Sequence, residues 1–125
     1  RDSKRKKQMS AEKLSRVLFV LALLAIGVLA LIPSKHLEIP LFDWWDKAQH
    51  ALAFGVLTVW GLLLWPASAW RVVLGMLAYG GAIEVAQWAV GWRFGEWADW
   101  AADAVGVLSA WGAYRACVVA FGRMI

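Results

Sequence analysis

Four apolar runs, each near the length of a membrane span and parted only by short polar breaks, constrain this 125-residue chain more than any other feature. A span needs about 20 apolar residues, because an α-helix rises about 1.5 Å per residue through a hydrocarbon core about 30 Å thick. The runs are expected as helices over about 14–32, 46–65, 72–90 and 100–121. Composition points the same way, with 62% hydrophobic and 18% charged residues, against roughly 45–50% apolar and about a quarter charged in soluble domains. The expected fold is an all-α integral membrane bundle of four transmembrane helices.

The breaks are legible one by one. Val17–Ile32 holds nothing more polar than Gly27 and is closed by Pro33. A charged stretch before an apolar run also describes a secretory signal, but three more runs follow and no small-residue cleavage site precedes Pro33-Ser34-Lys35. Ser34 to Trp45 reads as a loop with Pro40 inside it and Trp44-Trp45 as an interfacial anchor at its end. Pro66 stops the second run, Ala67–Arg71 reads as a tight connection, and Gly91–Asp99 joins the third run to the fourth, which Gly122-Arg123 closes. The lone Cys117 excludes an intrachain disulfide and a CxxC metal site.

The net charge of +4 is concentrated at one end. Residues 1–16 hold seven Lys or Arg against Asp2 and Glu12, so the remaining residues, 17–125, carry −1. Residues 1–16 are read as a basic cytoplasmic tail and 17–125 as the transmembrane domain, with Met9 as an alternative translation start. A basic stretch abutting an apolar helix is expected to face anionic lipid rather than nucleic acid. If that end is cytoplasmic, Arg71, Arg115 and Arg123 join it, while Lys35, Lys47 and Arg93 lie outside. Both termini are thus expected inside, in a bacterial inner (plasma) membrane. Trp44, Trp45, Trp88, Trp92, Trp97 and Trp100 then mark the outer interface, and Trp65 and Trp70 the inner one.

This topology brings three polar motifs to one level. Asp46, Lys47 and His50 stand at the outer end of the second helix, Glu84 and Gln87 near the outer end of the third, and Arg93, Glu96, Asp99 and Asp103 at the start of the fourth. Helical spacing puts Asp46, His50 and Phe54 on one face, Glu84 and Gln87 on another, and Asp99, Asp103 and Gly106 on a third. Charge in hydrocarbon costs several kcal/mol per residue on most scales, so the cluster is expected to have a purpose. Gly106, with Gly80 or Gly81, would let helices approach closely around it.

At these residues the chain resembles the VanZ-like family of small bacterial membrane proteins. The resemblance is carried by Asp46-Lys47-x-x-His50-x-x-x-Phe54-x-x-Leu57, by Glu84-x-x-Gln87, and by Gly91-x-Arg93-x-x-Glu96-x-x-Asp99-x-x-Ala102-Asp103-x-x-Gly106. It spans Asp46 to Gly106, about half of the chain. One departure is Asp103, where the family pattern most often has Asn. The resemblance implies a protein of the cell envelope, in a family named for a link to resistance against teicoplanin, an antibiotic that acts on wall precursors outside the membrane.

Four functional readings follow. In the first the charges are structural: Asp46 and Asp99 cap helices, Arg93 pairs with Glu96 or Asp99, and Lys47 reaches Glu84 or the headgroups. In the second the cluster binds the headgroup of an envelope lipid or glycan. The nine polar residues carry −3 with His50 neutral, which favours sugar hydroxyls over bare phosphate. In the third, His50 with Glu84, Asp99 or Asp103 forms the metal site of a membrane-embedded hydrolase, although no dense ligand motif such as HExxH is present. In the fourth the chain is an accessory subunit of a larger membrane complex, offering Trp60, Trp111 and the first helix as apolar surface. Binding or structure is favoured over catalysis, and the residues name no cofactor.

Overall fold

The computed structural model describes residues 1–31, 44–91 and 97–122, and the side chains of all of these except 44–46. Four helices follow one another: α1 (Asp2–Leu31), α2 (Trp44–Leu64), α3 (Ala69–Val90) and α4 (Trp97–Gly122), with a single 3₁₀ turn at Pro66–Ser68 between α2 and α3. No strand occurs among the described residues. All four helices are long and apolar enough to cross a membrane, as a multi-pass membrane protein requires.

Local chemistry explains most of the boundaries. Pro66 has no N–H to continue α2, and the chain turns through hydrogen bonds from Trp65 N–H to the Gly61 carbonyl (2.9 Å) and from Ser68 N–H to the Trp65 carbonyl (3.0 Å). α3 then begins at Ala69, three residues before the expected Val72, because nothing in Ala69, Trp70 or Arg71 breaks a helix. At its other end Gly91 takes a left-handed conformation (φ 80°) that most side chains disfavour, so the helix closes there. α4 opens at Trp97 rather than Trp100, which puts Asp99 inside its first turn. α1 runs back through the basic segment to Asp2, since Lys, Arg, Gln, Met, Glu and Ala are all good helix formers.

The helices do not contribute equally to the core. Leu62 of α2 and Val107 of α4 are fully buried, joined by Phe54, Leu57, Leu64, Val73, Met76 and Ile83, whereas α1 adds only Phe19. α2 and α4 run parallel and share the tightest interface: a Cβ built on Gly106 would overlap the Ala51 carbonyl oxygen and lie 2.9 Å from its carbonyl carbon. Gly55 faces the Gly106 carbonyl oxygen across the same seam, 3.4 Å from its own Cβ position. The backbones meet directly because neither glycine interposes a side chain.

α1 lies against α2 and α3 and is held by polar side chains at three heights. Trp60 donates its indole N–H to Ser15 Oγ (2.9 Å), Tyr79 donates its hydroxyl to the Leu23 carbonyl, and Gln87 donates Nε2–H to the Ala30 carbonyl (2.9 Å). Trp60 also meets Phe19 edge to face at 5.5 Å. This corrects its assignment as free apolar surface: the ring is spent on joining α1 to α2. Trp111 is likewise half-buried against the core.

Candidate functional site

The buried positions on each helix follow the helical period, and their polar members gather at one end. On α3 the inward stripe is Val73, Met76, Gly80, Ile83, Glu84 and Gln87; on α4 it is Asp99, Asp103, Gly106, Val107 and Ala110. On α2, Lys47 and His50 precede Phe54, Leu57 and Thr58 along the same side. Each stripe changes from apolar to polar at one level, so six polar side chains form a layer across three helices. Lys47, Glu84, Gln87, Asp99 and Asp103 are all buried, Asp103 to 2% exposure.

Among the contacts that tie the layer together, two run between α2 and α4. The Lys47 ammonium donates to Asp99 Oδ1, forming an ion pair with both side chains nearly enclosed. One turn deeper, His50 Nδ1 lies 3.0 Å from Asp103 Oδ1, with the imidazole about a quarter exposed. Deeper again, Ala51 meets Gly106 backbone to backbone. From the first acid–base contact to the second, α2 advances three residues and α4 four, about one turn of each, and the order is the same on both, as parallel helices demand. Asp99 also gains from the free N–H groups and dipole of the first turn of α4. It therefore serves as the ion-pair partner of Lys47 from inside the helix rather than as an N-cap.

α3 closes the third side. Gly80 makes room for the layer: a Cβ there would stand 3.1 Å from Asp103 Oδ2 and 3.3 Å from Phe54 Cε1. Glu84, one turn nearer the polar end, is 3% exposed. Gln87, a further turn on, uses Nε2 to hold the Ala30 carbonyl of α1, and no donor among the described residues reaches its buried Oε1. Trp100 backs the cluster by donating its indole N–H to the Leu77 carbonyl (3.0 Å).

The structure thus brings together Lys47, His50, Asp99 and Asp103, with Phe54 and Gly106 packed beneath them and Glu84 and Gln87 on the facing stripe. Asp46 lies in the first turn of α2, its side chain outside the described atoms, and Arg93 and Glu96 lie outside the described residues. Tyr79 and Trp100 were not read from the sequence as members of this framework. Tyr79 precedes Ile83 and Gln87 by one and two turns, and that i, i+4, i+8 stripe is the signal that would have found it.

The chemistry available to the layer is that of buried, hydrogen-bonding and mostly acidic side chains. Lys47 stands against Glu84, Asp99 and Asp103, a formal balance of −2 among the described residues with His50 neutral. Among these residues no group of three or more His, Cys, Asp or Glu is arranged to hold a metal ion. Thr58 donates its hydroxyl to the Phe54 carbonyl (2.6 Å), and Cys117 is exposed toward the other end of α4. The sequence matches no protein-family model, no curated protein and no solved structure.

Proposed function

We propose that the chain is a VanZ-like membrane protein of the bacterial plasma membrane, both termini cytoplasmic, whose charged layer binds the headgroup of an envelope lipid or glycan at the outer face. The observation that carries this reading is the buried Gln87 carboxamide oxygen, which no described donor fills, set beside a net acidic layer. A buried acceptor left without a donor costs about 1–3 kcal/mol, so such a group calls for a donor from elsewhere. Sugar hydroxyls supply donors without adding negative charge, whereas bare phosphate would meet the carboxylates. The three VanZ-like motifs, which contribute every member of the layer, support the family assignment.

A second reading, a lock that fixes α2 against α4, is favoured by the two acid–base rungs above the Ala51–Gly106 contact. The two readings differ in what Gln87 and Asp103 do. In native mass spectrometry of protein extracted from bacterial membranes, wild type is expected to retain a glycan-bearing lipid. Asp103→Asn, which keeps an acceptor for His50, should retain it as well, while Gln87→Leu and Asp103→Leu should lose it. Equal retention by all four folded proteins, or no retained glycan-bearing lipid in wild type, would remove headgroup binding and leave the lock.

A further inference from the structure

The end of the bundle opposite the charged layer carries a repeated arrangement of arginine over indole. The Arg16 guanidinium lies 5.3 Å from the Trp65 ring centre, that of Arg71 5.2 Å from Trp70, and that of Arg115 5.6 Å from Trp111. All three belong to one region of the molecule. Arg16 donates to the carbonyl of Leu64, the last residue of α2 (3.5 Å), and Arg71 stands in the first turn of α3 just beyond the Pro66 turn. Arg115 follows Asp99 on α4 by more than four turns, about 24 Å at the usual helical rise.

The three pairs differ in how their charge is met. Arg16 has Glu12 at 3.6 Å as well as the Leu64 carbonyl. Arg71 and Arg115 are exposed, and among the described residues neither meets a carboxylate. An indole beneath a guanidinium covers one face and leaves the N–H edge pointing outward, the geometry that grips the oxygens of a phosphate.

Each cation is also bordered by exposed hydrocarbon. Trp70 and Leu74 flank Arg71, and Val118 and Val119 lie one turn beyond Arg115, all more than half exposed. Both arginines point away from the inward stripes of their helices, Val73–Met76–Gly80 and Asp103–Gly106–Ala110. A cation that meets no carboxylate among the described residues, next to bare aliphatic surface, matches a charged headgroup above an acyl chain, and matches a nucleic acid poorly because that has no partner for the hydrocarbon.

We propose that Arg71 and Arg115, backed by their own tryptophans, each bind the phosphate of an anionic phospholipid at the basic end of the bundle. This surface is independent of headgroup binding at the opposite end. The test uses the full chain in nanodiscs of phosphatidylcholine and phosphatidylglycerol in equal parts, with the lipid retained on the ejected protein counted by native mass spectrometry. Wild type should carry phosphatidylglycerol in excess, and the R71Q/R115Q double variant should lower that enrichment about tenfold, with each single variant between. The K4Q/K6Q variant loses the same charge from the N-terminal part of α1 and should leave the enrichment nearly unchanged. Thermal unfolding in phosphatidylcholine alone should be the same for all, since the substituted groups are exposed. Absence of enrichment in wild type would overturn the proposal, as would an equal loss in K4Q/K6Q, which would assign the effect to diffuse charge. Tight binding of a DNA duplex without any lipid preference would overturn it in favour of the other polyanion.

Discussion

Lys47 and Asp99 occupy a layer where either charge alone would be costly, and each is tolerated because the other is there. Both side chains are nearly enclosed. Removing one partner of a buried pair typically costs about 3–5 kcal/mol, because the survivor stays buried without that counter-charge, and a pair near an interface falls at the lower end. Lys47→Met is therefore expected to destabilise the protein by about 2–4 kcal/mol in a fixed detergent. Adding Asp99→Leu should recover more than half of that loss, and chemical unfolding of the four proteins of the cycle measures the coupling. Strict additivity would show that the two groups act separately. Asp99 was legible in the helical spacing of Asp99, Asp103 and Gly106, and Lys47 in its place at the outer end of the second helix. Their pairing was not, because spacing along one helix selects a face and says nothing of what stands opposite.

At the scale of the helices, the α2–α4 seam decides the rest. Gly106 lies where any Cβ would run into the Ala51 backbone, and backbone, unlike a flexible side chain, has little room to yield. Gly106→Ala is therefore expected to push the helices apart and destabilise the bundle by about 1–3 kcal/mol. It should also weaken the Lys47–Asp99 and His50–Asp103 rungs above it. Gly112, on the same helix with nothing within 4 Å of its Cβ position, is the matched control. Gly112→Ala should be neutral or stabilising by up to about 1 kcal/mol, because glycine is a poor helix former. Thermal unfolding in one detergent compares the two, and equal stability would mean that the seam is looser than it stands. The role of Gly106 in close packing was readable from its place in the Asp99–Asp103–Gly106 stripe. The parallel pairing of α2 with α4 was not, since a chain of antiparallel neighbours leaves open which next-but-one helices touch.

Across the whole molecule, charge is divided between two ends. Lys47, Glu84, Asp99 and Asp103 mark one, and Arg16, Arg71, Arg115 and the basic segment of α1 mark the other. Basic residues in short loops favour the cytoplasmic side during insertion, and the proposed topology with both termini inside turns the headgroup layer outward. In a Cys117→Ala background, single cysteines at positions 34 and 68 report this directly. A membrane-impermeant thiol reagent applied to spheroplasts should label position 34 and spare 68. Labelling at 68 alone would turn the layer toward the cytoplasm and exclude an outer-leaflet ligand.

The sequence by itself determined four apolar helices, the stops at Pro66 and Gly91, and the stripes on which Glu84, Asp99 and Asp103 lie, because all of these follow from local backbone chemistry and a period of 3.6 residues. Tertiary structure alone decided that Lys47 meets Asp99, that His50 meets Asp103, and that Tyr79 and Gln87 hold α1 by its carbonyls. In lipid an apolar surface is as content against acyl chains as against another helix, so hydrophobicity does not choose neighbours. Close approach at Gly106 and a few buried polar contacts choose them instead, through axial offsets that no single helix encodes.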